Sequence, residues 1–374
     1  MIQLRILQIS SAKEFGGGER HLADLANALA ARGHHVFAAV RPHSPLIGEL
    51  TSLPKQNVIR LPLRNAIDAR NASRLASLVK NQEIEIVHAH MARDYPLAAY
   101  ATRRNPKARL IVTRHVLFPL SRLHKLTLAR VARVIAVSEA VGRQFHAAKL
   151  VPPERVTVVH NGIDISRFEM TTTGLDRSQF CGRWRLPEES VLVGSVGALT
   201  PLKGHEDFLR AAVQVGSLVP RVHFIIAGVD ASAGQKTRAE LESLIQKLGL
   251  AERVSFIGRM DDIADLYCAL DVFVSASHTE SFGLAIVEAM AAGAAVVATK
   301  TEGAQEIIKN GETGLLVPVA DPAALAESVS ALLKDNELRE RLSGAARESV
   351  SSRFSLERMV DETERIYSEV LGGS

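Results

Sequence analysis

Short apolar runs rich in β-branched residues recur at 4–9, 35–40, 84–88, 110–113, 134–137 and 156–160, and again at 191–196, 222–227, 254–257, 272–275 and 295–299. Each has the length of a strand buried on both faces. Between them the apolar positions switch to helical spacing: Leu22, Leu25, Ala26 and Leu29 fall at i, i+3, i+4 and i+7 on one face. Strands alternating with such helices predict βαβ units and parallel sheets. The rhythm lapses over 166–189, a polar stretch with Thr171, Thr172, Thr173, Gly174 and Pro187, so a linker is expected there. The chain therefore reads as α/β, with two Rossmann-like doubly wound domains, 1–180 and 181–352. Met359, Ile366 and Val370 share one helical side, which makes 353–374 a closing helix expected to pack back toward the first domain. No short-period repeat is visible, against a solenoid or propeller.

In open parallel sheets ligands sit beyond the carboxyl ends of the strands. Function is therefore expected in the strand-to-helix loops, and with two such sheets in the cleft between them.

Composition narrows the class. Of 374 residues, 47% are apolar and 23% charged, and the mean hydropathy of +0.07 excludes a disordered or fibrous chain. No stretch approaches the ~18 uncharged residues of a membrane helix; the most apolar, 283–299, contains Glu288. The opening run, 1–10, reads as a core strand containing Arg5 and lacks the basic head and cleavage site of a secretory signal. Cys181 and Cys268 are the only cysteines, which speaks against a disulfide framework and a cysteine zinc site. A cytoplasmic location is the expectation.

The net charge of +4 conceals an asymmetry. Residues 1–180 hold 26 Lys+Arg against 13 Asp+Glu, and the remainder 19 against 28. The excess peaks over 95–138, where Arg103, Arg104, Lys107, Arg109, Arg114, Arg122, Lys125, Arg130 and Arg133 meet no acid. Such a segment can draw anionic lipid at ~1 kcal/mol per basic residue, steer an acidic substrate, or simply be a solvated face. Nucleic acid is not expected as a partner, since only Tyr95, Tyr100 and Phe118 supply aromatics and no nucleic-acid module is present.

Three loops carry candidate chemistry. The first, 11–20, places Gly16, Gly17 and Gly18 ahead of a long helix. Glycines there permit positive φ and let an anion approach helix N-terminal amides. It departs from the dinucleotide fingerprint, because Arg20 and His21 stand where a third glycine belongs. The second, 197–204, follows a strand and holds Lys203 before Gly204; it is no Walker loop, but a lysine there is placed to pair with phosphate. The third, 278–288, joins Glu280, Ser281, Phe282, Gly283 and Leu284 to Glu288, with a helix expected from about Phe282. Two carboxylates eight residues apart are ~12 Å apart by helical rise, too far for a glycosidase pair at ~5–9.5 Å. That spacing suits two hydroxyl clusters on an extended ligand, with the Ser281 to Leu284 amides aimed at negative charge between them. Glu288 as a merely solvated residue is disfavoured by its neighbours Ile286, Val287, Ala289 and Met290.

These loops in this order, with Val159-His160-Asn161-Gly162-Ile163-Asp164 between the first two, resemble glycosyltransferase family four, the retaining GT-B enzymes. The most specific element is Glu280-x7-Glu288 followed by Ala289-Met290-Ala291-Ala292-Gly293. The resemblance implies that Lys203 binds the donor diphosphate, Glu288 the ribose hydroxyls and Glu280 the sugar hydroxyls. It implies that Gly16, Gly17, Gly18 and the Ser281, Phe282, Gly283 and Leu284 amides enclose phosphates and sugar. Arg259 and Met260, after Gly258, would form the base-binding turn. His115, in Val112-Thr113-Arg114-His115, resembles the active-site histidine beside donor sugar and acceptor; His88, His90 and Arg114 would line the acceptor side. Ala198 stands where the family usually has arginine, removing a bidentate phosphate contact; either another basic group such as Arg259 compensates, or phosphate stabilisation rests mainly on Lys203 and the helix amides.

The expected activity is transfer of a hexose from a UDP- or GDP-sugar to a hydroxyl acceptor, with retention of configuration. No Asp-x-Asp is present, so no metal and no cofactor beyond the nucleotide-sugar co-substrate are expected. The basic segment 95–138 points to an anionic membrane surface, and so to a lipid-linked or envelope glycan acceptor met at the inner face of the membrane. A nucleotide-sugar epimerase and a non-catalytic sugar-nucleotide-binding subunit remain the alternatives.

Overall fold

In this computed structural model the described residues are 3–64, 68–260 and 262–372; Met1 and Ile2 of the opening run lie outside them. Seven strands form the first sheet: β1 Arg5–Ser10, β2 His35–Val40, β3 Val58–Arg60, β4 Ile86–Ala89, β5 Arg109–Arg114, β6 Arg133–Ala136 and β7 Val156–Val158. Six form the second: β8 Val191–Val196, β9 Val222–Ala227, β10 Val254–Ile257, β11 Val272–Ser275, β12 Ala295–Thr299 and β13 Leu315–Val317. The spatial orders are β3-β2-β1-β4-β5-β6-β7 and β10-β9-β8-β11-β12-β13, with parallel neighbours throughout. Strand order reverses between β1 and β4 in one sheet and between β8 and β11 in the other. At those points adjacent crossovers depart to opposite faces and leave a crevice at the carboxyl ends.

The chain divides into two units, Met1–Gly162 with Leu356–Ser374, and Ile163–Ser355. This places the boundary at 163, where the sequence pattern suggested 181. The stretch expected to be a linker is largely two helices, Ile165–Gly174 and Arg177–Trp184, belonging to the second unit. Asp164 and Asp176 cap them by accepting from the backbone N–H of Ser166 and Gln179. Few apolar anchors hold them, chiefly Phe168, Phe180 and Cys181, which is why the stretch looks polar in sequence.

The first unit is completed by the end of the chain. The helix Gly17–Ala31 buries Leu22, Leu25, Ala26 and Leu29 in one core with Met359, Val360, Ile366 and Tyr367 of the last helix, Leu356–Gly372. Fully burying each of these Leu, Val, Ile and Met side chains contributes about 1.5–3 kcal/mol. Among the described residues no helix is long and apolar enough to cross a membrane.

Candidate functional site

In the second unit the third loop bends back on the second. Gly204 makes this possible: at φ +64°, a β-carbon there would lie 1.9 Å from the Ala276 carbonyl oxygen, so the backbones touch where no side chain fits. The His278 N–H donates to the Leu202 carbonyl at 2.8 Å, and the His278 ring bonds Asp207 Oδ2 at 2.7 Å. Lys203, at the end of a 3-10 turn after β8, thereby meets Glu280 from the β11 loop, Nζ to Oε2 at 2.7 Å. Ammonium and carboxylate are both less than a third exposed, sitting at the reversal point of the sheet.

The helix after this loop begins at Leu284, one turn residue after Gly283 at φ +117°, and not at Phe282. Glu280 thus lies outside the helix, and the ~12 Å of helical rise expected between the carboxylates does not describe them. At the start of Leu284–Ala292 the Ile286 and Val287 N–H groups donate to the Gly283 carbonyl at 3.0 and 3.2 Å, and the helix presents its positive end at Leu284 and Ala285. Phe282 is a packing residue: its ring is buried against Phe354 at 5.5 Å, and its carbonyl abuts Gly303. Glu288, half-buried on the helix, accepts from the Tyr267 hydroxyl at 2.9 Å. Burial, with the Glu288 charge beside it, holds the Tyr267 phenol well above its usual pKa, so it remains a donor that orients the carboxylate.

Arg259 and Met260 follow β10, two strands from β8 and so ~10 Å from the Lys203 strand. Ala198 is exposed; its carbonyl accepts from the buried His205 ring at 3.3 Å. Desolvation lowers the His205 pKa to about 4, so its ring adds no charge where the family arginine would stand.

In the first unit, Gly16, Gly17 and Gly18 open the helix Gly17–Ala31 without positive φ; Gly16 is extended at φ −140°. The conformational freedom expected of them is not used. Instead, the Gly16 N–H is taken by the Glu19 carboxylate at 3.1 Å, and a β-carbon on Gly18 would touch the His115 ring at 3.4 Å. The loop is tied down by Asp94, buried, which accepts from the Ser11 N–H at 2.8 Å; burial raises its pKa to about 6.

Four imidazoles gather at the carboxyl ends of β1, β4 and β5. His115 and His90 approach at 3.2 Å, Nε2 to Nδ1, and His21 packs edge-on to His115 at 4.8 Å between centroids. His88 is fully buried with both nitrogens engaged, Nδ1 to the Tyr367 hydroxyl at 2.7 Å and Nε2 to Thr113 Oγ1 at 2.6 Å. It therefore supports His90 from beneath and cannot contact an acceptor, contrary to the sequence expectation. Arg114 is also buried: it donates to the Phe118 carbonyl, and its Nε has no hydrogen-bond partner. Sequence reasoning missed His21, Asp94, Tyr267 and Tyr367. Tyr267 sits on the helix preceding β11, Asp94 ends a 3-10 turn before the helix Tyr95–Arg104, and His21 and Tyr367 are polar residues inside apolar helical patterns, where the ordinary reading is a satisfied core residue.

The description Glycosyl transferases group 1 fits residues 176–349, and Glycosyltransferase Family 4 fits residues 15–167. The chain belongs to glycosyltransferase family four. This glycosyltransferase is 27% identical over 367 residues to N-acetyl-alpha-D-glucosaminyl L-malate synthase of Bacillus anthracis, covering 93% of this chain and 92% of the relative. D-inositol 3-phosphate glycosyltransferase of Salinispora arenicola (strain CNS-205) is 32% identical over 281 residues, 73% of this chain and 60% of the relative. Among solved structures, a glycosyltransferase from Rickettsia africae ESF-5 superposes with a TM-score of 0.88 at 25% identity, covering all of both chains. HepE of Anabaena, solved with UDP and glucose, gives 0.84 at 24% identity, with 98% of this chain and 100% of that one covered. The fold of the family-four glycosyltransferase described here is GT-B.

Proposed function

We propose that this glycosyltransferase moves a hexose from a UDP- or GDP-sugar to a hydroxyl acceptor with retention of configuration and without a metal on the donor diphosphate. The observation that carries the reading is the Lys203–Glu280 pair at the β8/β11 reversal beside the Leu284–Ala292 helix start. Lys203 and the helix amides supply fixed positive charge where the leaving diphosphate develops negative charge. Glu280 holds sugar hydroxyls, and Glu288, oriented by Tyr267, holds those of the ribose. As the bond from the anomeric carbon to phosphate oxygen breaks, the acceptor hydroxyl oxygen bonds that carbon on the same face. Its proton passes to the departing phosphate.

Acceptor recognition is assigned to the first unit, through His115, which the buried His90 positions by a 3.2 Å contact. The buried Arg114 guanidinium, held by Tyr95 and the Phe118 carbonyl, sets a positive charge at the carboxyl end of β5, which favours an acceptor with an anionic group. The names of two relatives contain malate and inositol 3-phosphate, both anionic compounds.

The acceptor is further proposed to be lipid-linked, met at an anionic membrane surface. Support comes from Phe118, Leu123 and Leu126, which are 62%, 75% and 70% exposed inside the acid-free basic segment. Exposed apolar side chains interspersed in sequence with Arg122, Lys125 and Arg130 suit an interface with anionic headgroups.

Titration calorimetry tests the donor site. Glu288→Ala should weaken UDP- or GDP-sugar binding about tenfold or more, the loss of one charge-assisted hydrogen bond; unchanged affinity removes the ribose assignment. For the surface, replacing Phe118, Leu123 and Leu126 together by Ser should abolish sedimentation with anionic vesicles. Equal sedimentation of both proteins, or none by the wild type, refutes the membrane reading.

A further inference from the structure

The histidine cluster of the first unit has a chemistry that sugar transfer does not require. The hydrogen-bond network around it fixes which nitrogens carry protons. Gln8 Nε2 donates to the Tyr367 hydroxyl at 3.3 Å, and that hydroxyl in turn donates to His88 Nδ1 at 2.7 Å. Gln8 Oε1 is therefore turned toward His90 and accepts its Nε2–H at 2.7 Å. The remaining nitrogen, His90 Nδ1, therefore carries a lone pair and accepts from His115 Nε2–H, 3.2 Å away, a proton that His115 must move to its other nitrogen when an ion takes both lone pairs. A backing carbonyl that fixes tautomer and ring orientation is the usual outer partner of a metal-ligating histidine.

His21 closes the triangle. It is 2% exposed, and neither of its ring nitrogens has a hydrogen-bond partner of standard geometry, although Asn161, whose Oδ1 is likewise unmatched, lies close by. One nitrogen each from His21, His90 and His115 lie within 4.8 Å of one another. In a tetrahedral zinc site with bonds of 2.0–2.1 Å the ligand nitrogens are ~3.3 Å apart, so the His90–His115 edge already has the required length. The His21 edges need only a small ring movement.

We propose that His21, His90 and His115 form a three-imidazole site for a divalent transition cation, with zinc the best fit and the fourth position open to an oxygen ligand. Three neutral nitrogens select zinc, cobalt, nickel or copper over magnesium or calcium, which prefer oxygen. The proposal accounts for a buried imidazole with no hydrogen bond of standard geometry at either nitrogen. Since the ion takes the His115 nitrogen, its binding and a sugar contact by that nitrogen exclude one another; this consequence, unlike the binding, rests on the transferase reading.

The test is a cobalt titration of the full-length, chelator-treated protein, containing no nucleotide sugar and therefore independent of that reading. One equivalent of Co2+ should develop the visible absorption of a low-symmetry nitrogen site, and zinc should displace it. His21→Leu should weaken binding at least 100-fold while the metal-free protein melts no lower than wild type, since an unmatched buried imidazole has been replaced by an apolar side chain. His115→Gln provides the same test should His21→Leu misfold. His146→Ala, at an exposed position, should bind as wild type does. Absence of the spectrum, its persistence in folded His21→Leu or His115→Gln, or its loss in His146→Ala overturns the proposal.

Discussion

Replacing Lys203 with alanine separates its structural role from its chemical one. In the folded protein its ammonium lies 2.7 Å from Glu280, with side-chain exposures of 30% and 17%. At an effective dielectric of 20 the gross attraction is about 6 kcal/mol, most of it cancelled by desolvating both charges. Removing the lysine leaves Glu280 partly buried and unpaired, for an expected loss of about 1–2 kcal/mol of fold stability. Removing an anion-stabilising donor at the leaving group costs a further 2.7–4 kcal/mol of transition-state stabilisation, or roughly 100- to 1000-fold in turnover. The assay is release of nucleoside diphosphate from saturating UDP- or GDP-sugar, with water as the default acceptor and with sugar acceptors added. Thermal melting run alongside confirms that the variant is folded. Glu280→Gln, which keeps the ammonium, should lose sugar positioning yet retain diphosphate binding. A folded Lys203→Ala protein turning over within about threefold of wild type would falsify the leaving-group role.

Two further expectations concern stability. Gly204→Ala forces a β-carbon onto the Ala276 carbonyl at a left-handed φ, so it should cost about 3 kcal/mol or more in chemical denaturation and weaken donor binding; a neutral effect would show that the two loops part readily. Acidification should also destabilise the fold. Burial lowers His21 and His205 to a pKa of about 4 from 6.5, so between those values the unfolded chain takes up protons that the native one refuses. Each contributes a loss of about 3 kcal/mol as the pH falls, with His88, His90 and His115 acting in the same direction. Asp94 acts oppositely: raised to about 6 from 3.8, it takes up its proton first in the native state and returns about 3 kcal/mol over that window. The net is a melting temperature that drops from pH 6.5 to 4, with a shallower slope in His21→Leu; a slope unchanged by that substitution would contradict the assignment.

Much of the architecture was legible because the buried strands announce themselves as uninterrupted apolar runs. The two absent from the pattern, β3 and β13, are three-residue edge strands, too short and too one-sided to stand out from loop sequence. The candidate site was legible where chemistry is local, as with Lys203-Gly204 and Glu280-x7-Glu288. It was not where function arises from juxtaposition. Nothing near Glu280 in sequence says that Lys203 will reach it across 77 residues, and Tyr367 is 279 residues from the histidine it holds. The helices within 166–189 were hidden for a related reason: their caps are visible, but Phe168 finds its partner Tyr267 only in the folded chain.

That the last helix belongs to the first unit has a consequence for biosynthesis. The amino-terminal unit leaves the ribosome first yet cannot close its core until Met359, Val360, Ile366 and Tyr367 have been translated. The later unit, contiguous from Ile163 to Ser355, is complete before it. A chain lacking residues 356–374 would therefore hold all of the second unit together with an unfinished first one, whose apolar helix face stays open to chaperones.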